Sequence, residues 1–169
     1  HPSPSPGSDL GQATGAGPGL GEYRIMSYNV LADSQARSYR DELYRNVPED
    51  LLWWPRRLRA ILAEVRAVRP DILCMQECES FADVARSLKG DGYLGVHAPR
   101  AGGKRDGSSI FYRTDRFTCA AVDLMDFAPL GLRDNAAAIV CLEPIVAPPL
   151  PPKQWAGGTH GGTYEGTHG

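Results

Sequence analysis

An α/β fold is predicted by three features of the chain. Strand patterns at residues 23–30 and 71–76 are separated by a helical run, the order of a β–α–β crossover, which lays its two strands parallel. Each strand is short and apolar and gives out on a polar side chain, Asn29 in the first and Glu77 just past the second. Four more strand patterns follow residue 90, divided by turns that carry Gly, Asp or Pro.

Residues 1–21 are rich in Pro, Ser and Gly and hold too little apolar surface to offset the entropy of ordering, so they are expected to be disordered. The packed domain is expected over residues 22–144. Its first strand lies between Gly21 and the turn Ala32-Asp33-Ser34, and from there to Leu52 the pattern is irregular, with Tyr39, Tyr44 and Pro48 breaking any long helix. Pro55, favoured in a first helical turn, then opens a run in which Leu58, Ile61, Leu62, Val65 and Val68 recur at helical spacing, while Arg56, Arg57, Arg59, Glu64, Arg66 and Arg69 take the other face. Pro70 ends that helix, and residues 71–76 form a short buried strand.

A short helix is expected over residues 81–88, with Ser80 as its N-cap and Asp83 in the first turn. The strands expected at 93–97, 109–113, 117–124 and 137–142 suit an antiparallel meander. A Pro-rich run ends regular structure at Ile145, and residues 145–169, closing in Gly, Thr and His, are expected to be a disordered or aberrant tail.

The formal net charge of -2 gives no overall attraction to nucleic acid, so polyanion binding falls to local clusters. These are Arg56, Arg57 and Arg59, then Arg100, Lys104 and Arg105, with Arg57 the candidate substrate contact. No apolar run reaches the roughly 18 residues of a membrane span, and no signal peptide is visible. Cys74, Cys78, Cys119 and Cys141 lack CxxC spacing and a nearby His, which argues against zinc. They are expected to be buried thiols in a reducing compartment, cytoplasmic or nuclear, with an organelle left open. Trp53 and Trp54 offer faces on which bases could stack, but packing ahead of a helix is the expected use of such a pair.

Parallel pairing brings Asn29 and Glu77 to one rim, at the carboxyl ends of the strands where ligands of such sheets bind. A carboxylate beside a neutral amide can face a metal or a phosphate; the plainer alternatives are a helix-capping Glu and a turn-forming Asn.

Five motifs stand in order along the chain: Ser27-Tyr28-Asn29-Val30-Leu31-Ala32-Asp33, Trp54 with Arg56-Arg57, Pro70-Asp71-Ile72 with Met75-Gln76-Glu77, Asp106-Gly107 with Ile110-Phe111-Tyr112-Arg113, and Arg133-Asp134-Asn135. Together they resemble the endonuclease/exonuclease/phosphatase superfamily, and within it the carbon catabolite repressor 4-type deadenylases with their nocturnin and angel branches. The resemblance covers residues 22–143. It implies the N-terminal half of a two-sheet α/β sandwich, an incomplete domain, and a Mg²⁺-dependent 3′–5′ exoribonuclease, with Mn²⁺ as the alternative metal, acting on RNA 3′ ends or poly(A). It names no protein partner and no membrane. Glu77 would be a direct metal ligand, Asn29 would contact the metal or the scissile phosphate, and Asn135 would lie near the substrate phosphate. His97 and Asp106 are expected to have satisfied surface roles.

The later Gly-Asp-x-Asn and Ser-Asp-His motifs of that family do not occur, and His160 and His168, without an Asp before them, do not replace them. Loss of one transition-state donor commonly costs factors of about 10²–10³ in rate, so the chain as given is expected to be inactive or nearly so. It is also expected to leave an apolar sheet face uncovered. Two other readings stand beside this one: a non-catalytic truncated relative that binds RNA or protein, and another phosphoesterase of the superfamily (an apurinic-site endonuclease, inositol-phosphate phosphatase or sphingomyelinase). Trp54-Pro55-Arg56-Arg57 and Asp106-Gly107 favour the deadenylase branch.

Overall fold

The computed structural model describes residues 22–145. Along the chain it contains β1 (Ile25–Asn29), α1 (Asp33–Ser38), α2 (Arg40–Leu43), α3 (Glu49–Leu52), α4 (Trp54–Val68), β2 (Ile72–Gln76), α5 (Phe81–Gly90), β3 (Tyr93–Pro99), β4 (Gly107–Arg113), β5 (Phe117–Asp126) and β6 (Ala136–Pro144). The expected segments 1–21 and 146–169 lie outside the described residues.

The crossover forms as its sequence predicts. Pro55 occupies the first turn of α4, the helix buries Ile61, Leu62 and Val65, and Arg69 closes it in a left-handed conformation (φ 48°) just before Pro70. β1 and β2 then pair in parallel, from Ile25 opposite Ile72 to Asn29 opposite Gln76. Residues 33–52 are more regular than expected. Tyr39, Tyr44 and Pro48 do interrupt the chain, but the pieces between them are short helices rather than coil.

The meander is divided between two sheets. β3 and β4 form the expected antiparallel hairpin, but β4 gives its other edge to β2, so the first sheet runs β1-β2-β4-β3. With both edges of β4 occupied, β5 leaves the sheet and, among the described residues, pairs with β6. On one face of the first sheet Leu73, Met75 and Phe111 meet Leu62 and Val65 of α4 and Val84 and Leu88 of α5. Gly95 is required here, because a Cβ at that position would stand 2.4 Å from the Phe111 ring. On the opposite face β6 packs against β3 and β4. β5 is exposed along almost its whole length, Val122 and Leu124 included.

That exposure corrects the reading of the cysteines. Cys78 is buried and Cys74 half-buried, but Cys119 and Cys141 are exposed, because they lie on the β5–β6 ribbon and not in the helix-covered sheet. His97 and Asp106 differ from expectation in the other direction. The His97 ring stacks on Phe81 with centroids 4.9 Å apart and shares a 2.9 Å hydrogen bond with the Ser109 hydroxyl. Asp106 is 3% exposed and pairs with Arg100 at 3.2 Å, since the 100–106 loop closes back on itself through an Arg100 N–H to Asp106 carbonyl bond. Among the described residues no helix is long and apolar enough to cross a membrane.

At the end of the sheet away from Asn29, the buried Asp71 joins several strands. One carboxylate oxygen accepts the Arg24 backbone N–H at 2.8 Å, and the other faces Arg113 at 3.4 Å and Arg116 at 3.5 Å. Replacing one member of a buried, charged cluster strands the rest without a partner. An Asp71→Asn variant is therefore expected to lose about 3–5 kcal/mol in urea unfolding.

His97 predicts a pH dependence. Burial lowers its pKa below the ordinary 6.5, so the folded state keeps a neutral ring while the unfolded chain gains a proton near that pH. Its contribution to stability is complete above the unfolded pKa and is lost as pH falls through and below it. Urea midpoints should drop more steeply on acidification from about pH 7.5 to about pH 5.5 in the native chain than in a His97→Gln variant.

Candidate functional site

Asn29 stands opposite Gln76 in the parallel register, which makes Glu77 its diagonal neighbour, and the ladder runs one step further through a 3.0 Å bond from Val30 N–H to the Gln76 carbonyl. Both strands then turn sharply: Leu31 and Glu77 each adopt φ 55°. The first turn is closed by the Asn29 side chain, whose Oδ1 accepts the Leu31 N–H at 2.9 Å. Its Nδ2 donates to Glu77 Oε1 at 2.7 Å. These partners fix the orientation of the amide, since a backbone N–H can meet only its oxygen and a carboxylate only its nitrogen.

The second oxygen of Glu77 accepts the Ala32 N–H at 3.2 Å. The half-buried carboxylate is thus held at both oxygens by donors of β1 and the turn after it, while each oxygen keeps further lone pairs. Glu79 makes a second tie between the same segments, accepting the Ser34 N–H at 2.6 Å and pairing with Arg105 at 2.9 Å. Glu79 and the Ala32 amide were not among the residues singled out from the sequence. The pair Glu77-x-Glu79 is the signal the sequence offers, two acids in one short segment just past β2.

Arg57 is placed differently from expectation. Its guanidinium donates to the carbonyl of Val30 at 2.6 Å and also to that of Leu31, lies 3.7 Å from Asp33, and stacks 5.5 Å over Trp54. The side chain is 11% exposed, and its buried Nη1 has no hydrogen-bond partner among the described residues. Burial pulls its pKa down and Asp33 opposes that shift. Arg57 therefore supports the β1–α1 turn through Nη2, which meets both carbonyls, and offers little surface to a substrate because the side chain is buried.

Asn135 is exposed and precedes β6, with its carbonyl accepting the Phe127 N–H at 3.0 Å. The backbone carbonyl of its neighbour Asp134 accepts from Arg100 Nε at 3.1 Å, and Arg100 pairs with Asp106 beside the start of β4. The Gly107 carbonyl there accepts the Cys78 N–H at 2.9 Å. The Asn135 loop is thereby tied to the same end of the sheet as Glu77, although no direct bond joins the two side chains.

Glu77 and Asn29 present hard oxygen and amide groups, and among the described residues no cluster of three or more His, Cys, Asp or Glu forms a closed cage. One oriented carboxylate fits Mg²⁺ or Mn²⁺, which keep several waters and share a site with substrate phosphate. It does not fit a structural zinc site, which takes four N or S ligands.

The sequence model of the Endonuclease/Exonuclease/phosphatase family matches residues 26–161. Carbon catabolite repressor protein 4 homolog 6 of Arabidopsis thaliana is 34% identical over 148 residues, 85% of this chain and 20% of that protein. Homolog 3 from the same plant is 34% identical over 149 residues, 85% of this chain and 33% of that protein. The chain thus spans between a fifth and a third of the length of these relatives. The crystal structure of ANGEL2, a 2′,3′-cyclic phosphatase, in complex with adenosine-2′,3′-vanadate matches with a TM-score of 0.68 at 30% identity, over 73% of this chain and 38% of that one. The human Nocturnin catalytic domain with bound sulfate matches with a TM-score of 0.57 at 26% identity, over 72% of this chain and 44% of that one. The mixed α/β architecture with two sheets and the likeness to the carbon catabolite repressor 4, angel and nocturnin proteins both agree with the sequence.

Because Arg57 holds two carbonyls of the turn that presents the Ala32 amide, Arg57→Gln should free both the turn and the Glu77 carboxylate. Expected is faster hydrogen exchange at the Leu31 and Ala32 amides and a loss of about 1–3 kcal/mol in stability, the usual cost of leaving buried polar groups unpaired.

Proposed function

Because the chain belongs to the endonuclease/exonuclease/phosphatase family, we propose that the Asn29–Glu77 rim is the metal-anchoring part of a phosphodiester-hydrolysing site whose substrate is the 3′ end of RNA, poly(A) above all. The observation that carries this reading is the Glu77 carboxylate, held at both oxygens at the carboxyl end of a parallel strand pair. The likeness to carbon catabolite repressor 4 proteins supports the choice of substrate.

In this reading Glu77 binds Mg²⁺ or Mn²⁺, and Asn29 and the Ala32 amide hold it in place. When bound, such an ion polarises a phosphoryl oxygen and stabilises the attacking and leaving oxygens of an in-line displacement. Asn29 keeps a second amide hydrogen beyond the one given to Glu77, which suits a phosphate oxygen and brings no negative charge. Asn135 is assigned a phosphate contact from the facing loop. The sequence contains neither Gly-Asp-x-Asn nor Ser-Asp-His, so binding of metal and nucleotide is expected to outlast turnover in the chain as given.

A second reading is hydrolysis of a 2′,3′-cyclic phosphate at an RNA end, favoured by the 30% identity and TM-score of 0.68 to ANGEL2. The two readings part on substrate: oligoadenylate with a free 3′ hydroxyl for the first, the same strand ending in a cyclic phosphate for the second.

Titration with Mn²⁺ followed by electron paramagnetic resonance tests the anchor directly. Glu77→Gln should weaken binding by about tenfold or more, the scale of losing a charge-assisted contact, and Asn29→Ala by less. Equal Mn²⁺ affinity in the native chain and Glu77→Gln would remove Glu77 from the site.

A further inference from the structure

The core uses only one of the two adjacent tryptophans. Trp54 packs against the helix–sheet core and donates its indole N–H to Asp83 at 3.3 Å. Trp53 caps α4 in an extended conformation and is 61% exposed. It forms one wall of a cleft of about 340 Å³ between α1, α3 and the start of α4. That volume falls in the range of about 300–1,000 Å³ typical of sites for small organic groups.

The charges of this cleft cancel. Arg37 and Arg40 face Asp33 and Glu49, and Arg37 is already paired with Asp33 at 2.6 Å. Such a lining has no net field to hold a phosphate and would repel a cationic side chain with its arginines as readily as attract it with its acids. What it offers is the exposed Trp53 indole in its wall, with donors and acceptors set around it. That chemistry suits a flat, neutral ring with hydrogen-bonding edges, in other words a nucleobase.

Its position points the same way. Asp33, in the wall of the cleft, directly follows Ala32, whose amide holds Glu77. The cleft and the rim therefore share the β1–α1 turn.

We propose that this cleft is a stacking subsite for one base of a single-stranded nucleic acid, with the exposed indole of Trp53 as its platform. The proposal rests on the reading of the neighbouring rim as a phosphodiester site, and it adds a base-binding element outside the reacting centre. Trp54, next in sequence, is half-buried against the core and lines the same cleft.

Binding of a fluorescently labelled oligoadenylate to the full chain, measured by anisotropy in EDTA so that no hydrolysis occurs, tests it. Trp53→Ala should weaken binding about fivefold to hundredfold, the range seen when one stacking partner is removed, whereas Trp53→Phe should retain most of it. An abasic strand of equal length should bind weakly and ignore both substitutions. The proposal is overturned if the native chain does not bind oligoadenylate, if Trp53→Ala binds like the native chain, or if the abasic strand binds as tightly as oligoadenylate. Unchanged melting of the Trp53 variants, expected for an exposed side chain, separates lost stacking from lost folding. Failure of the rim is a separate result: Mn²⁺ affinity unmoved by Glu77→Gln, with the Trp53 dependence intact, refutes the anchor and leaves the subsite standing.

Discussion

A single buried carboxylate sets the register on which the rest of the structure depends. Asp71 takes the Arg24 backbone N–H on one oxygen and faces Arg113 and Arg116 with the other, so β1, β2, β4 and the entry to β5 are tied at one point. The pairing that begins there ends five residues later with Asn29 opposite Gln76. At about 3.3 Å per residue the clamp acts on the rim from roughly 16 Å away. A slip of one residue would turn Asn29 to the other face of the sheet and separate it from Glu77.

The rim is built almost entirely from backbone groups and their immediate partners. Glu77 is oriented by the Ala32 amide, the turn bearing that amide is shaped by the Asn29 side chain, and the carbonyls of Val30 and Leu31 are gathered by Arg57. Since Arg57 belongs to α4 and stacks on Trp54, the helix that covers the sheet also shapes the turn at its edge. Packing of the crossover and geometry of the carboxylate are consequently one mechanical unit.

The parts of this arrangement legible in the sequence are those dictated by short-range rules. Pro55 and Pro70 bracket a helix with clear periodicity, and a crossover between two buried strands leaves little choice but parallel pairing, so Asn29 and Glu77 could be placed together from their positions alone. The rest turned on which surfaces are left free, and local sequence does not record that. The apolar runs holding Cys119 and Cys141 look like core strands, yet they form a ribbon with much of its surface open. Asp106 sits in a Gly-rich loop that looks exposed until Arg100 closes it. Arg57 belongs to a basic cluster that reads as a phosphate binder, and only the fold shows its side chain buried with Nη2 turned toward carbonyls.

Leu31 and Glu77 hold left-handed backbone conformations in side chains that disfavour them, at a cost of roughly 1–2 kcal/mol each. Glycine at either position would relieve that strain, and at position 77 it would also delete the carboxylate. That deletion would also take away the acceptor of the Asn29 amide and the Ala32 N–H, a loss of about 1–3 kcal/mol that offsets the strain relieved. At position 31 glycine carries no such penalty, whereas replacement of the acid at position 77 among related sequences would mark lineages in which the chemistry has been given up and the fold kept.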